Sequence, residues 1–248
     1  MSAPLLEVRA LCKRFGAVLA SDRLDLEVRP EQLHAVIGPN GAGKTTLIAQ
    51  LGGELRPDAG RVRFRGRDIT TMPVHLRAAL GLARSFQMAS LFEQLCVLDN
   101  VALAVQALSG HSFRFWQPAH RVRPLREAAM AALEEVGLAE RAGAITSALS
   151  HGEKRQLEIA MALASRPALL LLDEPLAGQG PAESRAMIHL LDGLRGSCAI
   201  LLVEHDMDAV FALADRITVL VAGRAIASGA PAEIRADRGA REAYLGDA

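Results

Sequence analysis

Apolar and polar positions alternate along this chain in short blocks, and the blocks predict strands and helices in turn. Runs at 5–8, 24–28, 33–37, 62–64, 82–86, 168–172, 199–203 and 217–221 read as β-strands. Those at 168–172 and 199–203 are almost wholly apolar, as expected of strands covered on both faces of a parallel sheet. Helical spacing follows several of them, at 44–51, 181–194 and 206–214. Strands alternating with helices predict an α/β fold with a mainly parallel sheet. Residues 1–32 read instead as a small antiparallel β region.

The middle of the chain has a different period. Between residues 88 and 165 the pattern predicts helices at about 97–108, 124–136 and 153–164, and no strand. In the second of these, Leu125, Ala128, Ala132, Leu133 and Val136 fall on one face. Gly110, Pro118 and Pro124 mark one boundary loop, and Gly137, Gly143 and Ser147 another. The expected organisation is one domain over 1–248. Its α/β core comes from 1–87 and 166–248, with a helical subdomain inserted at 88–165.

Composition narrows the class. The chain has 248 residues, half of them hydrophobic, with 28 Lys+Arg against 28 Asp+Glu. A nucleic-acid binder usually carries a basic excess, so no nucleic-acid partner is expected. The local basic stretches at 61–67 and 120–126 read as solvated faces. Cys12, Cys96 and Cys198 are odd in number and far apart, which suggests packing residues in a reducing compartment. No segment looks like a signal peptide or reaches the roughly 18 apolar residues of a membrane span. A cytosolic location is expected, unless another chain holds this one at a membrane.

The chemistry starts at Gly38-Pro39-Asn40-Gly41-Ala42-Gly43-Lys44-Thr45-Thr46, which satisfies GxxxxGK[ST] between an apolar strand and an apolar helix. Glycines let the backbone turn so that successive N–H groups face phosphate oxygens, and the helix N-terminus adds to that field. Lys44 would reach the β- and γ-phosphates, and the Thr45 hydroxyl would serve Mg²⁺. With glycine usage near 7%, a chance match in a chain this long is roughly a 1% event. Downstream, an apolar strand ends in Asp173-Glu174-Pro175. There Asp173 can hold Mg²⁺ through water, and Glu174 can act on the attacking water as general base. Leu149-Ser150-His151-Gly152-Glu153 then forms a Ser/Gly turn opening a helix just before that strand. Ser150 could equally be a plain helix N-cap. No Asn/Thr-Lys-x-Asp guanine motif is present.

These three motifs, in this order and spacing, resemble the ATP-binding-cassette family over essentially the whole chain. The resemblance implies a P-loop NTPase core that binds ATP and Mg²⁺. It also implies a head-to-tail dimer, homo- or heterodimeric, in which Ser150, Gly152 and Glu153 complete the site of the other subunit. Gln87, in Ala83-Arg-Ser-Phe-Gln87, corresponds to the glutamine that senses metal and water. His205, in Val203-Glu-His205-Asp-Met, corresponds to the switch histidine at the γ-phosphate. Phe15 stands where an aromatic stacks on adenine, or serves the core of the small β region. Three positions depart from the pattern: His151 replaces Gly, Glu153 replaces Gln, and Gly180 falls where Asp or Asn is usual. Because His adopts φ > 0 less cheaply than Gly, the turn at His151 is expected to differ.

Within that family the chain resembles the ATP-binding subunits of bacterial branched-chain amino-acid importers. The residues carrying this are 149–160, Glu174 to Gly178, Val203 to Met207 and the ending Arg241-Glu-Ala-Tyr244-Leu-Gly. The segment between Gly110 and Pro124 resembles the longer of the two ATPases such importers carry. Urea, amide and lipid-exporting systems have similar ATPases. A soluble cassette ATPase outside transport is a further alternative, although the tandem cassettes or long coiled-coil insertion usual there do not appear in 248 residues. The resemblance implies membrane-spanning permease subunits as partners and, indirectly, a periplasmic binding protein. It places the chain peripherally on the cytoplasmic face of the inner membrane, with residues 88–104 forming the groove for the permease. The apolar Leu91, Phe92 and Leu95 would suit that docking or else pack in the core.

Overall fold

The computed structural model describes residues 3–85, 91–108 and 123–245. Phe86, Gln87 and most of the segment between Gly110 and Pro124 lie outside the described residues. Two sheets organise the rest. The strands β1 (Leu6–Phe15), β2 (Val18–Val28), β4 (Ala59–Phe64) and β5 (Arg67–Asp68) form an antiparallel sheet in the order β2-β1-β4-β5. The larger sheet runs β10-β9-β3-β8-β7-β6. It contains β3 (Leu33–Ile37), β6 (Leu82–Arg84), β7 (Leu169–Asp173), β8 (Ala199–Val203), β9 (Arg216–Val221) and β10 (Arg224–Gly229). All its pairings are parallel except β10 on β9.

The apolar strands have two cores to serve. Leu170 and Leu172 of β7 point into one cluster, and Leu169 and Leu171 into the other. Ile200 and Leu202 divide from Ala199, Leu201 and Val203 in the same way. A strand buried on both faces cannot alternate with polar residues, which explains its continuous apolar run. On one face lie α3 (Val97–Leu108), α4 (Arg123–Glu135), α5 (His151–Leu163), α6 (Pro181–Gly193) and α7 (Met207–Leu213). The other face packs on α1 (Lys44–Gly52), which presents Leu47, Ile48 and Leu51 between the two sheets.

The antiparallel sheet is wider than residues 1–32. Leu6 pairs with Val28 on one side and with Phe64 on the other, so chain from both sides of α1 contributes. Charged residues and register shifts interrupt the β1–β2 hairpin, which hides its length from the apolar pattern. Sequence patterning also misses β5, β10, α2 (Val74–Ala79) and α8 (Pro231–Ala236). β10 is an exposed edge strand of small and polar residues, and α2 is under two turns long.

α2 delivers one structural side chain. Arg77 is 2% exposed and donates to Gln50 O at 2.8 Å and Leu51 O at 2.6 Å. These carbonyls end α1, where a cation satisfies both orphan acceptors and helix dipole. Burial without a carboxylate pulls the Arg77 pKa down to about 10.

Among the described residues between β6 and β7, helices dominate and the sole pairing is the isolated bridge Cys96↔Ile145. Asn100 organises this region from a fully buried position. Its amide donates to Phe92 O and Cys96 O at 3.1 Å and to Thr146 Oγ1 at 3.0 Å, and accepts from Phe92 N at 2.8 Å. Phe92 is half-exposed while Leu91 packs against the core.

Candidate active site

The loop between β3 and α1 is shaped by close backbone contacts. A Cβ on Gly38 would stand 2.0 Å from Leu220 O, and one on Gly43 (φ +101°) 2.1 Å from Ala20 O. No side chain other than hydrogen fits either place. The β9–β10 turn braces the loop from outside, with Gly223 N donating to Ala42 O at 2.9 Å. Gly43 then caps α1 without any side-chain bond, and the first turn holds no acid. Its N–H groups and the helix dipole thus point at a concave space suited to an anion. That space, about 210 Å³, is lined by Ala20, Asn40 to Thr46 and Glu174.

Lys44 lies across the loop, 6% exposed, with Nζ donating to Gly38 O at 2.6 Å and Pro39 O at 3.1 Å. Burial lowers its pKa, while Glu174 and Asp173 oppose that shift. Asp173 ends β7 at 1% exposure, and burial raises its pKa against the pull of the Arg84 guanidinium. Its Oδ2 takes Arg84 Nη2 at 3.5 Å, and its Oδ1 has no hydrogen-bond partner among the described residues. A buried carboxylate oxygen left unsatisfied beside a phosphate-shaped loop suits a hard divalent cation, which prefers oxygen ligands. Thr45 is exposed at the start of α1, while Gln87 lies outside the described residues.

Glu174 has a left-handed backbone, φ +49°, rare for a residue with a Cβ. Its N–H donates to Val203 O at 2.9 Å, and its residue lines the loop cavity. His205 follows β8 with its side chain 56% exposed, and its N–H donates to Glu204 Oε2 at 3.0 Å. Glu204 is fully buried and also accepts from Leu176 N at 2.8 Å. It therefore ties the turn after Glu174 to the turn at His205. Burial raises its pKa, and the backbone N–H groups it accepts oppose that. No role is legible for Glu204 in the sequence, although an acid flanked by apolar Val203 and a His is the one available signal.

Ser150, Gly152 and Glu153 sit elsewhere. They line a separate cavity of about 100 Å³ with Gln156, Gln179 and Glu183 among its walls, and they share no residue with the cavity of the loop. Ser150 caps α5: Glu153 N donates to Ser150 Oγ at 3.2 Å and Ser150 N donates to Glu153 Oε2 at 2.8 Å. This reciprocal capping box satisfies two orphan donors, and it explains why Glu serves where Gln is usual. Arg141 Nε adds a 3.0 Å contact to Glu153.

Two expectations change here. His151 is the first residue of α5 and is not among the residues with positive φ, so the turn needs no glycine at that point. Phe15 is 50% exposed at the hairpin tip, with Lys13 Nζ 5.7 Å from its ring centroid, so it does not pack in the small β region's core. Gly180 N-caps α6 at φ −74°, a conformation open to any residue.

Comparison with known proteins covers the same ground. The "ABC transporter" family model matches residues 21–177, and that of the "Branched-chain amino acid ATP-binding cassette transporter" matches 226–248. The high-affinity branched-chain amino acid transport ATP-binding protein BraF of Pseudomonas aeruginosa is 40% identical, with all of both chains covered. The corresponding LivG of Salmonella typhimurium is also 40% identical over all of both chains. The ADP conformation of MJ1267, an ATP-binding cassette of an ABC transporter, superposes with a TM-score of 0.87 at 28% identity, covering 99% of this chain and 100% of that one. The fold, the loop cavity and these likenesses agree over the full length, and the chain belongs to the ABC transporter family, whose ATP-binding cassettes hydrolyse ATP.

Proposed function

We propose that this chain is the ATP-hydrolysing subunit of a bacterial membrane importer for branched-chain amino acids. The observation that carries the enzymatic reading is one glycine-shaped cavity lined by Lys44 and Glu174, with the buried Asp173 carboxylate close enough to act electrostatically on both. The full-length likeness to BraF and LivG, together with the C-terminal match at 226–248, supports the transport reading.

In this reading the backbone N–H groups of Gly38 to Thr46 cradle the phosphates of ATP, and Lys44 leaves Gly38 O and Pro39 O to neutralise the β- and γ-oxygens. Phe15, exposed at the hairpin tip, stacks on adenine. Thr45, Asp173 and Gln87 would hold Mg²⁺, which would supply charge neutralisation on the phosphates. Glu174 accepts the proton of the attacking water as the water oxygen bonds to the γ-phosphorus, the bond from that phosphorus to the β–γ bridging oxygen breaks, and ADP leaves with the electron pair. His205, oriented from its backbone by Glu204, contacts the γ-phosphate. Residues 1–87 and 166–248 form the core of this machine and 88–165 its inserted helical subdomain.

Ser150, Gly152 and Glu153 lie outside the cavity they are expected to complete. A second cassette, identical or not, arranged head to tail supplies that missing wall, and ATP binding closes the pair. Permease subunits receive the closure, so the chain works peripherally on the cytoplasmic face of the inner membrane. A periplasmic binding protein selects the substrate. Among the described residues no helix is long and apolar enough to cross a membrane.

Glu174→Gln is the test. With native partner subunits present it should bind ATP, slow turnover by about 10²-fold or more, and accumulate as a nucleotide-bound dimer. Undiminished turnover removes Glu174 from the base role.

A further inference from the structure

The backbone of Glu174 is held from three directions, and one of them is unexpected. Its φ of +49° is uncommon for a residue with a Cβ and carries a steric cost. Two restraints are backbone bonds native to the sheet and the following turn: Glu174 N to Val203 O at 2.9 Å and Ala177 N to Glu174 O at 3.1 Å. The third is the side chain of Arg155, in the second turn of α5. Its Nη2 donates to Glu174 O at 3.1 Å and to Asp173 O at 3.3 Å.

Arg155 is itself fixed. Nη1 donates to Glu158 Oε2 at 2.7 Å within the same helix, and the two side chains are only 13% and 11% exposed. A guanidinium presents its donors in a rigid plane, so anchoring one end aims the other. Charge-assisted bonds to carbonyls are also stronger than neutral ones. Burial raises the Glu158 pKa while the Arg155 charge opposes this, as expected of a pair withdrawn from water. A buried pair of this kind serves geometry better than stability.

We infer that Arg155 is a positioning residue for Glu174: from the helix that opens at Ser150, it holds the two carbonyls that fix how this carboxylate is presented to the phosphate cavity. The inference rests on the reading of Glu174 as the base. One consequence is directional. α5 begins at the turn offered to the other subunit, so its placement reports to the base of its own subunit through Arg155.

Three variants of the full chain, assayed with native partner subunits, test this. Arg155→Met keeps the apolar stem but has no donor. It should lower kcat by about tenfold or more, the worth of a charged hydrogen bond, with KM and ATP affinity within about twofold of the parent. Arg155→Lys, which keeps a charged donor, should recover most of that loss. Glu158→Gln removes the anchor without opening a cavity and should lower kcat by about threefold. In a Glu174→Gln background, Arg155→Met should add no further slowing in single-turnover hydrolysis. An unchanged kcat in Arg155→Met and Glu158→Gln, while Glu174→Gln abolishes turnover, overturns the inference. So does an equal loss from Arg155→Met in both backgrounds, or a fall in ATP affinity that matches the fall in rate. If Glu174→Gln alone leaves turnover intact, the base assignment is what fails. Should Arg155→Met not fold, the Lys and Glu158→Gln comparison decides by the same criteria.

Discussion

The turns that open α1 and α5 are held in opposite ways. The turn before α1 is locked by backbone: Cβ atoms on Gly38 and Gly43 would sit 2.0 and 2.1 Å from carbonyl oxygens of distant strands. Its helix is uncapped by any side chain and carries no acid in its first turn, which leaves the donor field for a ligand. The turn before α5 is held by its own side chains, Ser150 and Glu153 capping each other. A Cβ on Gly152 would meet the side chain of Glu183 at 3.1 Å, not a backbone. The part of a site that a chain supplies to itself can be built rigidly from backbone. A half-site offered to a second chain needs its orphan N–H groups satisfied while it is alone, by groups that can yield.

The contrast is broken or upheld most forcefully by one substitution at each turn. Gly43→Ala puts a methyl at φ +101° against Ala20 O, where neither the backbone nor the turn behind it can give way. A cost of roughly 3 kcal/mol and loss of nucleotide binding in the isolated chain are expected. Gly152→Ala meets only the flexible end of Glu183 and should cost under about 1 kcal/mol. Its isolated chain should bind ATP normally, measured by fluorescent-nucleotide titration, whereas turnover with partner subunits should fall. Equal loss of binding in both variants would remove the distinction between the two turns.

The same difference decides what could be read from the sequence. The phosphate loop was legible because Gly38 and Gly43 are demanded by contacts within the chain, and a demanded residue leaves a fixed spacing. The continuous apolar strands β7 and β8 announced a sheet covered on both faces for the same reason. Arg77, Arg84, Arg155 and Glu204 were not legible. Each is a charged residue held by backbone groups or by acids remote in sequence. Even the pairing of Arg155 with Glu158, three residues on, reads like an ordinary solvated helix pair, so no local pattern marks any of them as buried. His151 was misjudged because a glycine in a motif need not mean positive φ. At the first position of a helix the backbone is right-handed, and the motif's glycine must answer to something else.

Acid should loosen the locked turn and spare the other. His34, on the strand that feeds the loop, is 1% exposed. Its Nδ1 stands 3.0 Å from Glu27 O and its Nε2 2.8 Å from Thr218 Oγ1. A carbonyl only accepts, so Nδ1 carries the proton and Nε2 accepts from the hydroxyl. Burial, with the Arg216 charge added, pulls its pKa from 6.5 down to about 4. The unfolded chain therefore takes up the proton first. Stability is whole above pH 6.5 and is lost progressively as pH falls towards 4, by about 3 kcal/mol in all. Amide exchange at pH 5 should accelerate in β3, β9 and the loop they support, more than at the start of α5. His34→Gln should flatten this acid limb, and an unchanged limb in that variant assigns it to other groups.

The smallest effect probes the yielding turn. Ser150→Ala removes one half of the capping box, leaving Glu153 N without its acceptor, a loss of about 1 kcal/mol. For a chain of this size that lowers the melting temperature by about 2–4 °C. ATP binding by the isolated chain should be unaltered, because Ser150 lines no part of the loop cavity. If Ser150 were only a cap, turnover in the assembled complex would follow the small stability change and recover fully a few degrees lower. If its hydroxyl and the N–H groups behind it also face the partner's nucleotide, turnover falls by about tenfold at every temperature. The temperature series separates the two, and the second result is the one expected of a turn whose cap is held in reserve for another chain.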